Sequence, residues 1–575
     1  MKTLLIFKMH HYFNYLKLKF VEGVLTLKLN KFLMLFMVLA LSVVLAACGG
    51  DDSADDSSKD SNDSGDTTES TGSKELNLVI ASEPPSLHPG LATDTTSGAI
   101  LNQTHEGLMV MKNGEPTPAL AESYEVSDDL LTYTFKLRDA KWANGDAVTA
   151  EDFVYSWKWV LTPENASEYA SILYAIKGAE ALHSGEGSAD DLGVKVIDEK
   201  TLEVTLERPT PYFLELTAFK TMSPIHQATS EENANWFAEA ETHIGNGPYK
   251  ITEWVHSGNI VLEKNENYWD AANVKIDKVN IAMAESETTQ MNMFNADEID
   301  FLGTSFGSIA LDAIDGLKAD GLLNVAEYTG IYWYKFNTTD PVTSNVNIRK
   351  ALTLAIDRAS LIKNITKGEQ QPALGMVPNG VEGFGDDEGY FKDADFETAK
   401  EYLATGLQEL GLSDPSELEV KISYNTSEAH AAIAQFIQQG WTKELGIKVG
   451  LDNAEWQVYL DKLTNLDYQV GRLGWIADYN DAYTFLEQYD SAKNGNNDTG
   501  WENAQYTELL KQSNVETDEA KRTELLLQAE KIFMDEMPVA PIYYYTNLYI
   551  KKDYVSGMEP DALGNIYLKF ADVNK

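Results

Sequence analysis

The stretch Tyr468-Gln-Val-Gly-Arg472-Leu-Gly-Trp475-Ile-Ala-Asp478-Tyr479-Asn480-Asp481 opens as an apolar strand and closes in aromatic and acidic side chains. A carboxylate at the exit of such a strand, at the mouth of a cleft, is suited to receive a cation. The competing use of the same residues is structural, with Asp478 as N-cap of a helix through Thr484, Phe485 and Leu486 and Arg472 as its partner. A second candidate is Gly303-Thr-Ser305-Phe-Gly307, which matches the Gly-x-Ser-x-Gly elbow of serine hydrolases. That elbow needs a strand before it, a helix after it, and downstream Asp and His partners. Only His430 lies downstream, inside a predicted helix that is an awkward seat for a loop-borne base, so a chance match in a glycine-rich turn is the better reading. Metal chemistry has less to work with. His10, His11, His88, His105, His183, His226, His243, His256 and His430 show no ligand spacing, and the one cysteine has no second to pair with. No catalytic residue, metal or cofactor is expected.

That cysteine, Cys48, is read as a membrane anchor. Residues 1–47 carry six lysines against one glutamate, whereas the whole 575-residue chain has a formal charge of −45. Phe32 to Ala47 is an apolar run, short of the about 20 residues a membrane span needs but suited to a signal-peptide core. It ends in Leu45-Ala46-Ala47-Cys48, which resembles the bacterial lipoprotein signal, where the cysteine thiol is lipidated before cleavage. Residues 1–24 precede the compact Lys28-Leu29-Asn30-Lys31 start of such a signal, which implies that translation begins later than Met1. Residues 48–74 then form a lipidated cysteine and an acidic Ser/Asp/Thr/Gly tether with too few apolar groups to fold. No calcium-loop spacing occurs in it. The acidic balance argues against nucleic acid and against a basic patch on anionic lipid. With 43% hydrophobic residues the rest of the chain is expected to fold, in about two to four domains.

The positioning elements are a mixture of helices and strands. Leu131, Tyr133, Phe135 and Leu137 alternate with polar residues, as do Val194, Val196, Leu202, Val204 and Leu206 on either side of an Asp198-Glu199-Lys200 turn, which predicts strands and a hairpin. Thr149-Ala-Glu-Asp152 reads as a helix start, followed by Phe153, Trp157, Val160 and Leu161 at helical spacing. Ile348, Leu352, Ala355, Ala359 and Ile362 predict one amphipathic helix. Residues 418–424, 428–445 and 447–451 predict strand, helix and strand, with Gly446 as the left-handed stop; so tight a run implies a parallel pair with a right-handed crossover. Ligands bind beyond the carboxyl ends of such strands, which directs attention back to Arg472–Asp481.

Several long motifs occur in order. They include Ser82-Glu-Pro-Pro-Ser-Leu-His-Pro89, Pro118 through Arg138, Trp142 through Trp157, Gly245-Asn-Gly-Pro-Tyr-Lys250, Asn347-Ile-Arg-Lys-Ala-Leu352 and Trp475-Ile-Ala-Asp478-Tyr479. On these the chain, from Leu76 to Leu568, resembles the oligopeptide-binding lipoproteins of bacterial ABC importers, within the peptide and nickel solute-binding family. The resemblance implies an α/β, two-lobed periplasmic-binding-protein-like fold (type II) with an extra subdomain and a cleft between lobes. It implies that Asp478 receives a peptide ammonium and that Arg472 serves ligand carboxylates or local charge balance. Trp475, Tyr545, Trp456 and Tyr169 match positions lining the peptide cleft, and Glu83 is a weaker match; by phase alone these aromatics read as core rather than cleft. Pro84-Pro85 and His88 depart from the usual residues of the oligopeptide branch, and no basic cluster that would fix one peptide length is apparent.

The physics of the task agrees. A binder of many peptides must grip what all peptides share, the ammonium and the backbone amides, and leave the side chains in roomy wet pockets. The expected division is lobe 1 in 75–97, 221–325 and 546–575, an extra subdomain in 98–220, and lobe 2 in 326–545. The expected molecule is a monomeric, non-enzymatic, lipid-anchored binder outside the cell membrane of a Gram-positive organism. It would close by a hinge and deliver oligopeptides to permease subunits driven by cytoplasmic ATPases. A peptide-pheromone sensor, a dipeptide or nickel-chelate binder and a secreted serine hydrolase are the alternatives.

Overall fold

A computed structural model describes residues 73–575, apart from 113, 382 and 385–388. The signal segment, Cys48 and nearly all of the tether lie outside the described residues. In chain order the main elements begin with β1 (Glu75–Ile80), α1 (Thr95–Thr104), β2 (Ala121–Val126), β3 (Thr132–Leu137), α2 (Ala150–Leu161), β4 (Val194–Asp198) and β5 (Thr201–Thr205). Next come β6 (Tyr249–Val255), β7 (Asn259–Lys264), β8 (Lys278–Met283), α3 (Glu287–Asn295), β9 (Phe301–Gly303), β10 (Asn324–Phe336), α4 (Val346–Leu354) and α5 (Phe396–Leu410). The last group is β11 (Glu419–Asn425), α6 (Glu428–Leu445), β12 (Lys448–Ala454), α7 (Trp456–Thr464), β13 (Val470–Ile476), α8 (Ala504–Val515), α9 (Glu519–Glu536) and β14 (Val539–Lys551). Among the described residues no helix is long and apolar enough to cross a membrane.

Three sheets carry the architecture. One runs β1-β8-β7-β6, one β2-β3-β5-β4, and the largest β9-β14-β10-β13-β11-β12. Within the last, β11 pairs in parallel with both β12 and β13. Local chemistry explains many of the boundaries. Thr149 and Asp152 form a capping box at the start of α2, whose Phe153, Trp157 and Val160 are wholly buried. Ser427 caps α6, and Gly446, at φ 73°, ends it.

One predicted helix is two. Instead of running from Ile348 to Ile362, α4 stops at Leu354 and a short helix restarts at Arg358. The Asp357 side chain captures the Ser360 amide, and the buried Arg358 guanidinium takes the Thr353 and Ile356 carbonyls, removing acceptors a continuous helix would use.

The long strands β10 and β14 join two cores. At one end Phe301, Tyr549, Leu78 and Ile281 share a core with α1 and the β1 sheet. At the other, Tyr332, Tyr334, Phe336, Ala540 and Ile542 pack with α4, α5 and α6. Between the two the ladder loses register: Glu327 faces Thr546 and Ile331 faces Tyr544, so Tyr328, Thr329 and Gly330 oppose Tyr545 alone. The boundaries expected at 325/326 and 545/546 fall inside these two strands. The boundary expected at 97/98 falls inside α1, whose Ile100 and Leu101 are buried in one core with Leu76, Leu78 and Ile80 of β1. The β2–β5 block packs in turn on the segment after β13, where Tyr212 stacks on Tyr479 at 4.2 Å and 12°.

Candidate functional site

A cavity of about 860 Å³ lies where these parts meet. The three parallel strands β11, β12 and β13 end at its wall: Asn425 closing β11 with Thr426 next, Trp456 beyond β12, and Ile476 closing β13 with Ala477 and Asp478 next. The facing walls bring Asp94 and Gly98 of α1, Tyr169 and Lys220 of the β2–β5 region, and Tyr545 of β14.

Asp478 lies two residues past the end of β13. It caps no helix: Asp481 accepts the Tyr483 amide at 2.8 Å, and the Asp478 amide donates to Thr484 Oγ1 at 3.3 Å. Its carboxylate is half-buried, with its open side on the cavity. Burial pushes its pKa up to about 7, opposed by the nearby Lys220 ammonium and by hydrogen bonds from the Thr484 and Tyr169 hydroxyls. A desolvated carboxylate held in this way gains most from an incoming cation.

Arg472 sits on β13 itself, six residues earlier, so at most about 20 Å of extended chain separates the two charges. Its guanidinium donates to Asn425 Oδ1 and to the Tyr545 hydroxyl, both at 3.2 Å, and lies 4.7 Å from the Tyr332 ring centroid. Nε has no hydrogen-bond partner, and among the described residues no carboxylate pairs with this arginine. Arg472 is thus not the ion partner of Asp478. Tyr545 reaches it only because the strand residue beneath is glycine: a Cβ on Gly474 would meet the Tyr545 hydroxyl at 2.4 Å.

The aromatic candidates are core and cavity wall at once. Tyr169 and Trp475, 5% and 8% exposed, stack at 6.0 Å and 4° across the junction of β13 with the β2–β5 region. Trp456 lines the cavity with its Nε1 buried and without a partner.

Glu83 stands apart from the other candidates. Its carboxylate accepts Trp254 Nε1 at 2.7 Å, bonds His256 Nδ1 at 2.9 Å and accepts the Ser257 amide, and it does not line the cavity. The β6–β7 hairpin turn claims it.

Three cavity residues were not anticipated as ligand groups. Lys220 lays its stem against Gly98 and its ammonium 4.0 Å from the Phe219 ring centroid and 5.1 Å from that of Tyr169. Burial lowers its pKa against the pull of Asp478 and Asp94. Asp94 caps α1 through Ser97 at 3.0 and 2.6 Å. His430, weighed above as a hydrolase base and a metal ligand, is on the first turn of α6, held neutral by burial and by Arg472, with Nδ1 3.3 Å from the Tyr332 hydroxyl. Only the cap signal of Asp94 was readable locally. The serine elbow does not assemble: Ser305 donates to the Gly564 carbonyl at 2.6 Å, and the next helix starts only at Ile314. Among the described residues no group of three His, Cys, Asp or Glu could hold a metal.

A two-lobed body with an interlobe cavity carrying charged and aromatic groups is the build of a substrate-binding protein. Residues 115–497 match the model of bacterial extracellular solute-binding proteins, family 5, and the chain belongs to that family. It is 50% identical over 540 residues to the oligopeptide-binding protein OppA of Bacillus subtilis, covering 93% of this chain and 98% of that protein. A structure of Listeria monocytogenes OppA bound to peptide superposes with a TM-score of 0.81 at 31% identity, covering 88% of this chain and 100% of that one. The Escherichia coli murein tripeptide binding protein MppA gives 0.83 at 31% identity, covering 88% and 99%. MppA in its unliganded open form gives only 0.58 at the same identity, covering 87% and 97%. The lobes of the present structure are therefore arranged otherwise than in that open form.

Proposed function

We propose that the protein captures oligopeptides in this cavity, outside the cell membrane, and delivers them to an ABC importer. The observation that carries the proposal is the pair of charges on one strand and its exit: a desolvated carboxylate at Asp478 and a guanidinium at Arg472 with donors to spare. A zwitterionic peptide supplies the partner each lacks. Its ammonium goes to Asp478, an anionic group of the peptide to Arg472, and its backbone lies along the residues of β13, with Tyr169, Trp475, Trp456 and Tyr545 as walls. Similarity to oligopeptide- and peptide-binding relatives supports the same ligand class. The volume, in the upper part of the about 300–1,000 Å³ typical of ligand sites, suits a short peptide with bridging water. Closure about the irregular stretch of β10 and β14 is the way in and out, which the poor match to an open form supports. The protein binds without turning its ligand over, and Cys48 carries the lipid that keeps it as a monomer at the membrane.

Native mass spectrometry of the protein as purified tests this. Bound mass resolving into a ladder of peptides is the expected outcome. A protein that carries no peptide and takes up none when a mixed peptide pool is added overturns it.

A further inference from the structure

Helices α3 and α6 belong to different cores. Met291 and Phe294 of α3 pack with Val79, Leu302 and Ile550, whereas Ile433, Ile437 and Trp441 of α6 pack with the residues of β11 and β13. Their N-termini nevertheless meet, and each opens with the same pair, Ser286-Glu287 on α3 and Ser427-Glu428 on α6.

The contact is reciprocal. Glu287 accepts the Ser427 hydroxyl at 2.5 Å and the amides of Glu428 and Ala429 at 2.8 and 3.4 Å. Glu428 accepts the Ser286 hydroxyl at 2.9 Å, the Thr288 amide at 3.1 Å and the Thr288 hydroxyl at 2.7 Å. Each serine meanwhile accepts an amide of its own helix, from Thr289 at 3.2 Å and from His430 at 3.1 Å. Every helix has unpaired N–H groups in its first turn, and here the first-turn carboxylate of one helix satisfies those of the other. Two helix N-termini brought face to face carry like partial charges and repel. A carboxylate on each converts the approach into an attraction. Glu287 is 4% exposed, and neither glutamate lines the cavity, although Glu285, Ala429 and His430 beside them do.

We propose that Glu287 and Glu428 are positioning residues that set peptide affinity without touching the peptide, by latching the two lobes together through exchanged helix caps. The proposal rests on the peptide-binding function above and on closure. A latch stabilises the closed complex by the same amount whatever the bound sequence. It therefore acts on how fast the complex opens, not on how fast peptide finds the cleft.

Glu428 is exposed, so Glu428→Ala leaves the fold intact and is the deciding variant; Glu428→Gln keeps the acceptor and removes the charge. Calorimetry and stopped-flow with tetra-alanine and with tri-lysine are the measurement. For Glu428→Ala the expected result is a Kd raised about 3- to 30-fold, by a common factor for both peptides, with the dissociation rate raised and the association rate unchanged. The Gln variant falls between it and the wild type. Scattering from the tetra-alanine-saturated variant should give a larger radius of gyration than the wild type. An unchanged Kd and dissociation rate, or a loss confined to one peptide, overturns the latch. Failure of the wild type to bind either peptide defeats the peptide assignment instead. Scattering from the free proteins then decides the latch, with a more open Glu428→Ala variant supporting it and identical curves overturning it.

Discussion

Arg358 and Arg472 stand in the same half of the molecule and are bonded in opposite ways. Arg358, with no exposed surface, donates to the carbonyls of Pro541, Ile356 and Thr353 and pairs with Asp393 at 3.1 Å. Its donors are spoken for, and it ties the restart of the split helix to β14. Arg472 has two long hydrogen bonds to neutral groups and an orphaned Nε. Burial disfavours its charge, and Tyr545, Tyr332, Tyr543 and Tyr459 around it, all with raised pKa values, offer neutral hydroxyls and no counter-ion. Both guanidiniums bear the cost of leaving water, and only one recovers it within the chain. A buried charge with a complete donor set is part of the scaffold. One left short, facing a cavity, is held for something that arrives.

The contrast is open to test, and the largest effect belongs to the scaffold. Arg358→Ala removes the guanidinium from Asp393 and from three carbonyls, leaving Asp393 only the amides of residue 358 and Ala359. It should cost about 3–5 kcal/mol of stability, read as a large fall in the melting temperature. Next is Asp478→Ala, which should weaken peptide binding by about 30-fold or more in calorimetry, the scale of truncating one member of a buried charge pair, with no loss of melting temperature. A variant that binds as the wild type does removes Asp478 from the site. Arg472→Met should cost about 1.5–3 kcal/mol of affinity for a peptide with a free carboxylate and much less for its C-terminal amide. Equal losses for acid and amide would make Arg472 scaffold like Arg358.

The smallest effect is that of pH. The Asp478 carboxylate is raised to about 7, with Lys220, Tyr169 and Thr484 as its neighbours. Its ionised form is disfavoured by the free fold, so this group removes stability as pH rises from its unfolded value, near 3.9, to about 7. An arriving ammonium needs that ionised form. Peptide affinity should therefore fall as pH drops from about 8 to about 6, by no more than about tenfold, with proton release on binding near neutrality. Calorimetry in buffers of different ionisation enthalpy reads that release, and Asp478→Ala should abolish it.

Much of the scaffold around the site was legible beforehand. The β11-α6-β12 unit follows from its strand and helix patterns and a glycine stop, all set within a few residues of one another. Its parallel pairing then pointed to the strand exits, where Trp456 and Asp478 line the cavity. The single helix expected over Ile348–Ile362 failed because periodicity reports which face is apolar, not whether a buried arginine will claim the carbonyls. The partners of Glu83 were hidden for a related reason: a motif carries a residue's neighbours in sequence, while the β6–β7 turn that binds it lies some 170 residues on, with His256 at a separation of 173.

From the chain alone came the elements, the family resemblance and the acidic and aromatic exit of β13, because capping, periodicity and motif spacing act over a turn or a strand. Only tertiary structure set Lys220 beside Asp478, left Arg472 without a carboxylate, and exchanged caps between Glu287 and Glu428. These are encounters between residues far apart in the chain, and they are settled by how separately folded cores dock, which no local pattern of residues records.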